Sequence, residues 1–276
     1  MTKRTRETAR DATLAVVGDT ATASARAVPA FLDEPTSAAD DRETPMRALR
    51  DVAALLRALA AEKGEDSSPF RIYDPYYCRG GIRTRLLPLL PTTFTIYNAP
   101  EDFYRVKREG RCPDHGVVLT NPPYSRDHVR RAIEYYVSRK APWIMLLPHN
   151  TILRNWFPGV IARDLSPPLF LCPHQRYAFL RKDVAKNGET VIGSESQKHV
   201  PFVTVWFIGG LSAFTRMTLL STWESCDRKQ GATLAQSLEE MPRRIKKILK
   251  FAENRACKKK TRTEERLRKK QKKKKK

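Results

Sequence analysis

The apolar run Val117 to Thr120 is halted by Asn121-Pro122-Pro123-Tyr124, and no other feature of the chain limits its fold as strongly. The run is short and mostly β-branched, which suits a strand buried on both faces. Two consecutive prolines can continue neither a strand ladder nor a helix, so the chain must stop and turn there. A similar stop lies upstream, in Arg71-Ile72-Tyr73-Asp74-Pro75-Tyr76-Tyr77-Cys78-Arg79-Gly80-Gly81. An apolar strand ends in Asp-Pro, a glycine pair follows, and Ile82 to Leu90 has apolar residues at helical spacing. Strand, tight loop and helix in that order predict an α/β sheet. In open sheets of that kind ligands bind where the strands end.

The rest of the chain fits around these two stops. Leu49, Val52, Leu55, Leu56 and Leu59 follow the i, i+3, i+4 pattern of an amphipathic helix over Pro45 to Lys63, long enough to cover one face of the sheet. A strand is expected at Thr93–Asn98. A helix is expected from Ser125 to about Lys140, with Val129, Ile133 and Tyr136 or Val137 turned inward. Trp143–Leu147 reads as a central strand, Leu169–Cys172 and Tyr177–Leu180 as short ones, and Pro201–Ile208 as the last, closed by Gly209-Gly210. Met1 to about Pro45 is rich in Ala, Thr, Asp and Arg without apolar periodicity and is expected to be mostly disordered, with a helix possible at its start. One folded domain, residues 46–240, then precedes a basic segment at 241–276. The hydrophobic fraction of 41% is adequate for a full core.

The residue types after the two strands suit a particular chemistry. Moving a methyl group from a sulfonium donor onto a planar exocyclic nitrogen requires hydrogen-bond acceptors for its two N–H bonds rather than a strong base. The side-chain oxygen of Asn121 and the carbonyl of Pro122 can supply two, with proline's fixed φ aiming the second. Tyr124 can stack on a flat substrate, and one base–aromatic stack recovers about 1 to 3 kcal/mol of the cost of extruding a base. The loop at Asp74–Gly81 lets backbone approach a ligand closely, with a helix start behind it.

With both loops in view, the chain from about 68 to 210 resembles the class I S-adenosylmethionine-dependent methyltransferases, in the branch with an Asp-Pro-x-x-Gly-x-Gly donor loop and an Asn-Pro-Pro-Tyr catalytic loop. That branch includes adenine N6 methyltransferases of DNA and RNA and glutamine methyltransferases of release factors. The resemblance implies a Rossmann-like, mostly parallel sheet and S-adenosylmethionine as cofactor. It implies that Asp74, Pro75 and the backbone of Tyr76 to Gly81, including Cys78 and Gly80, hold the methionine part of the donor. It implies that Asn121, Pro122, Pro123 and Tyr124 hold the acceptor nitrogen. Glu101, Asp102 and Phe103 fall on the segment that meets the donor's adenine, and Asn98 or Glu101 would replace the carboxylate expected at the ribose. Glu101 and Asp102 also read as ordinary helix-start residues. Two departures stand out. Cys78 occupies the place of the loop's first glycine, and only one strand fits between the first helix and Val117, where the branch has two strands and a helix.

Charge is unevenly placed. Of the net +22, +16 lies in Arg243–Lys276, which holds 19 Lys and Arg against 3 Glu. Ile245, Ile248 and Leu249 suggest that this segment starts as a basic helix before the lysine run. Such a tail suits nucleic-acid phosphates or a nuclear or nucleolar address, with cytoplasmic or mitochondrial residence left open. With no insertion large enough for a separate DNA-recognition domain, RNA is favoured over DNA, and target choice falls to the loops at 150–200, the chain ends or a protein partner. Five scattered cysteines without paired spacing suit a reducing compartment. Cys112-x-x-His115 and Cys172-x-His174 lack the spacing of a structural zinc site, so no metal is expected. His128 and His149 are expected to be surface or packing residues, and Arg176-Tyr177 is either a substrate contact or a loop arginine beside a packed tyrosine. No apolar run reaches membrane-spanning length, and no membrane partner is expected. Three functions follow: an adenine amino-methyltransferase, a protein glutamine N-methyltransferase, or a catalytically idle nucleic-acid-binding protein with the same fold.

Overall fold

Apolar runs that end at proline or glycine stops lie side by side in one sheet. The computed structural model describes residues 40, 42–63, 68–184, 190–226, 231–243 and 245–247, with backbone alone for 181–184 and 190–199. Helix α1 (Met46–Glu62) is followed by β1 (Phe70–Tyr73), α2 (Gly81–Leu86), β2 (Phe94–Tyr97), α3 (Phe103–Arg108) and β3 (Val117–Thr120). Next come α4 (His128–Arg139), β4 (Trp143–Pro148), α5 (Phe157–Ile161), β5 (Leu169–Pro173), β6 (Ala178–Val184) and β7 (Thr190–His199). Strand β8 (Thr204–Gly209), α6 (Ala213–Ser225) and β9 (Ala232–Ala235) complete the set.

Seven strands form a sheet in the order β2-β1-β3-β4-β8-β5-β9, and β6 and β7 pair as a separate hairpin. Strands β2, β1, β3 and β4 are parallel neighbours, whereas β8 runs antiparallel between β4 and β5, and β9 is antiparallel to β5. The sheet is therefore mixed, with its parallel half where the two proline-stopped strands lie. The chain leaves β1 for β2 on one side and returns to β3 on the other. The crevice outside the carboxyl ends of β1 and β3 is thus the topological switch point, where α/β sheets of this kind take ligands.

Side chains alternate between two cores. Ile72, Ile96, Val117, Leu119, Ile144, Leu146, Trp206 and Ile208 face α1, α2 and α6, while Tyr73, Val118, Met145, Leu147, Val205 and Phe207 face α3, α4 and α5. That is the period of two of a sheet buried on both faces. Helix α1 lays Leu49, Val52, Leu55, Leu56 and Leu59 on the first core, at about 1.5 to 3 kcal/mol for each side chain fully buried. Trp206 Nε1 donates to the Ala48 carbonyl at 3.1 Å and fixes the helix on the sheet. In α4, Ile133, Tyr136 and Val137 are all buried and Val129 partly so.

Several sequence expectations are corrected. β8 is not the last strand, because the chain returns through α6 to add β9 at the sheet edge. The strand expected at Tyr177–Leu180 runs on to Val184 and pairs with Thr190–His199 in a hairpin. Residues 42–45, expected to be disordered, are packed against the domain, with Glu43 and Thr44 buried. Met241 and Ile245, expected in a basic helix leaving the domain, are buried in the second core. The disorder expected for 1–39 and the basic run beyond 247 lie outside the described residues.

Candidate active site

The first strand stop is built around a buried carboxyl group. Asp74 follows β1 and its N–H donates to the Tyr97 carbonyl at 2.9 Å, which ties the loop to β2. Its Oδ1 accepts from Thr120 Oγ1 at 2.6 Å and from the N–H of Tyr76 at 3.3 Å. Burial pushes the Asp74 carboxyl up to about 7; the two hydrogen bonds pull it down, and the nearby Glu43 charge adds to the rise. Pro75 and Tyr76 are buried behind it. The loop then turns tightly, with the Gly80 N–H donating to the Tyr77 carbonyl at 2.8 Å. Gly80 has φ +73, and Cys78 has φ +49. Cys78 thus holds a left-handed backbone that a glycine would adopt without strain. A Cβ on Gly81 would lie 2.5 Å from the Arg85 guanidinium and 2.6 Å from the Glu43 carboxylate, so these groups press directly on the loop backbone.

The second stop places an amide opposite that carboxyl. Thr120 ends β3 and Asn121 follows, so the Thr120 hydroxyl joins the two loops. Asn121 Oδ1 accepts from the Tyr124 hydroxyl at 2.6 Å, and its Nδ2 donates to the Arg42 carbonyl at 3.3 Å. The same Tyr124 hydroxyl lies 2.9 Å from the Leu146 carbonyl, so one proton serves two acceptors. Burial raises the Tyr124 phenol well above its usual range, with the Asp40 charge adding to the effect, and it stays neutral. The Tyr124 ring meets Phe202 edge-on, with centroids 5.7 Å apart, Pro122 is buried, and Pro123 is half-buried.

A short segment ahead of α1 bridges the two loops. Asp40 Oδ1 accepts from the N–H groups of Tyr124 (2.8 Å) and Ser125 (3.2 Å). Glu43 Oε1 accepts from the Gly81 N–H at 3.1 Å, and its other oxygen pairs with Arg85 at 2.7 Å. Asp74, Tyr76, Cys78, Gly81 and Asn121 line one small cavity with Arg42, Glu43 and Thr44, and its volume is about 20 Å³. That holds about one water. A groove of about 640 Å³ opens beside it, lined by Tyr77, Arg79, Gly80, Arg83, Asn98 and Pro100 among others.

Asn98 links the groove to the carboxyl loop. Its Nδ2 donates to the Asp74 carbonyl at 3.2 Å, and its Oδ1 is buried with no hydrogen-bond partner. A buried acceptor of that kind on the wall of a groove suits a ligand hydroxyl. Glu101 instead accepts from the Tyr97 hydroxyl at 2.9 Å and pairs with Arg111 at 3.1 Å. Asp102 caps α3, accepting from the Arg105 N–H at 2.7 Å. Phe103 is 1% exposed and stacks on Tyr136 with centroids 5.9 Å apart. The loops after β1 and β3 are thus brought together with Asn98, whereas Asp102 and Phe103 serve the start and packing of α3.

Other candidates resolve into structural roles. His128 is buried, not at the surface, with Nδ1 2.5 Å from the Tyr104 hydroxyl. His149 is also buried, and its Nδ1 donates to the Val203 carbonyl at 2.9 Å. Tyr177 is 2% exposed and donates to Asp51 at 2.7 Å, while an Arg176 N–H reaches the Pro201 carbonyl at 3.4 Å. Among the described residues no group of three or more His, Cys, Asp or Glu could hold a metal ion, and no helix is long and apolar enough to cross a membrane. Sequence reasoning missed Asp40, Arg42, Glu43, Thr44 and Arg85. Their one signal was position, immediately before the helix expected to cover the sheet and within the helix that follows the Asp74–Gly81 loop.

Fold and site together define a Rossmann-like α/β protein with its convergent polar groups at the switch point of the sheet. No family model matches the chain, and no curated protein matches it.

Proposed function

We propose that this protein is an S-adenosylmethionine-dependent N-methyltransferase acting on the exocyclic amine of adenine in nucleic acid, RNA in preference to DNA. The observation that carries the reading is one cavity lined by both Asp74 and Asn121, with Thr120 joining the two loops. Bound donor would supply an electrophilic methyl group. Asp74 and the backbone from Tyr76 to Gly81 would hold its amino-acid end, and the buried Asn98 oxygen would accept from a ribose hydroxyl. The adjoining groove has the volume for a nucleoside. The 20 Å³ cavity does not hold the remainder with Arg42, Glu43 and Thr44 in place, so donor entry requires this segment to shift.

At the acceptor, the Tyr124 hydroxyl fixes which end of the Asn121 amide is oxygen. That oxygen has a second lone pair and can take one substrate N–H while the Pro122 carbonyl takes the other. No base is needed before transfer, because the nitrogen must keep its lone pair aimed at the methyl. The charge at 243–276 supports nucleic acid as the acceptor, and RNA is preferred over DNA because the sequence has no insertion large enough for a separate DNA-recognition domain. Calorimetric titration with S-adenosylmethionine tests the reading. Wild-type protein should bind, and the Asp74→Ala, Gly80→Asp double variant should not. Absence of binding by wild-type protein would favour the catalytically idle nucleic-acid-binding fold, which the small cavity also suits.

A further inference from the structure

We infer that the paired N–H groups of Tyr124 and Ser125 form a binding site for a phosphate of the substrate strand, and that Asp40 occupies it when no strand is bound. This rests on the nucleic-acid reading above. The two successive amides converge on a single oxygen, Asp40 Oδ1, at 2.8 and 3.2 Å. Successive N–H groups aimed at one point form a concavity selective for anions, and a carboxylate oxygen and a phosphate oxygen make the same contact there. Ser125 Oγ is buried and makes no hydrogen bond, so the residue that supplies one of the two amides also carries an unused donor. Arg126, next in the chain, has φ +51, a backbone strain of the kind that collects at ligand-binding turns.

Position points to the ligand. Tyr124 carries both an anion-binding N–H and the hydroxyl that orients Asn121, so a charge held there is fixed relative to the acceptor amide. A nucleotide entering a pocket at Asn121 brings its own phosphates to the rim, and a chain of net charge +22 attracts polyanions. Arrival of that phosphate would displace Asp40. The Arg42 carbonyl, two residues on, would then leave Asn121 Nδ2, and the cavity, whose present volume is that of about one water, would open. Strand binding and site opening are one event in this scheme.

Backbone amides report on the site directly. In ¹H–¹⁵N spectra of the full chain, the Tyr124 and Ser125 resonances are followed during titration with inorganic phosphate and with hexauridylate, which lacks the proposed acceptor base. In Asp40→Ala both resonances should move with either probe, at concentrations about tenfold lower than in wild type, since the competing carboxylate no longer taxes binding. Asp40→Asn, which keeps the shape and loses the charge, should behave likewise if Asp40→Ala does not fold. Ser125→Ala in the Asp40→Ala background should weaken the response to phosphate. Silence of both amides in all variants would overturn the proposal, as would equal responses in wild type and Asp40→Ala. A response to tetraglutamate but to neither phosphate probe would overturn it in favour of an acidic protein partner. The titration needs no donor and no methyl transfer, so failure of the methyltransferase reading would be seen separately, in the transfer assay.

Discussion

Thr120 Oγ1 donates to Asp74 Oδ1 over 2.6 Å, and this one bond joins the ends of two strands whose residues lie 46 apart in the chain. Both strands stop at prolines, both loops follow at the switch point, and the hydrogen bond holds the Asp74–Gly81 and Asn121–Tyr124 loops in register.

Asp74 makes stability depend on pH. Its folded carboxyl sits near 7, above the ordinary 3.8, so its contribution to folding is greatest with the proton on and is lost as pH rises through about 7. Unfolding free energies of the wild type relative to Asp74→Asn, from urea titrations, should therefore fall between about pH 4 and 7, by roughly 4 kcal/mol at about 1.4 kcal/mol per pKa unit, and level off above that. A parallel pair of profiles would show that Asp74 is ionised in the folded protein throughout. Because a donor amino group favours the carboxylate, donor affinity should rise over the same range.

Cys78 holds a left-handed backbone at a position that tolerates any residue other than glycine only with strain. Cys78→Gly should be neutral or stabilising by up to about 1 kcal/mol and should leave donor affinity intact, whereas β-branched Cys78→Val should cost about 1 to 2 kcal/mol more than Gly. Thermal melts of the pair measure the difference. Equal melting temperatures would remove the argument that this cysteine stands in for a glycine.

Two other glycines test the packing. A Cβ on Gly210, at φ +66, would lie 1.9 Å from the Ala141 carbonyl oxygen, while one on Gly110, at φ +64, meets nothing within 4 Å. Gly110→Ala should cost only about 1 kcal/mol of backbone strain, and Gly210→Ala about 3 kcal/mol or more because backbone must also move. Denaturant unfolding of both variants checks the order.

Deleting Lys258–Lys276 should weaken RNA binding and flatten its salt dependence, by about 0.7 to 0.9 in slope for each phosphate that the tail no longer neutralises. Methylation of a minimal saturating substrate should survive. An unchanged slope with altered cellular placement would make the tail an address.

How much of this could be read in the sequence follows from the forces involved. Strands β1 and β3, helices α1 and α4 and their loops carry strong periodicity with proline and glycine punctuation, and they lie where expected within a few residues. β7, Thr-Val-Ile-Gly-Ser-Glu-Ser-Gln-Lys-His, has almost no apolar alternation, and its pairing with β6 is a backbone matter. β9 is four residues long, and α6 buries only Leu219, so neither has a pattern to find. The segment at Asp40–Thr44 is held by carboxylates and a carbonyl rather than by apolar packing. Such bonds depend on tertiary placement, which composition does not carry. Phe103 shows the converse: a resemblance assigned it to the donor, but α3 turns its ring into the aromatic core.

The central claim is tested most directly by methyl transfer from labelled S-adenosylmethionine to separate pools of RNA, DNA and protein, by wild-type protein and by Asn121→Ala. The account predicts label in N6-methyladenosine after nuclease digestion, chiefly from RNA. It predicts a loss of about 30- to 10³-fold in Asn121→Ala, roughly 2 to 4 kcal/mol of transition-state stabilisation, with donor binding unchanged. Label found instead in protein glutamine, or equal turnover by wild type and Asn121→Ala, would contradict it.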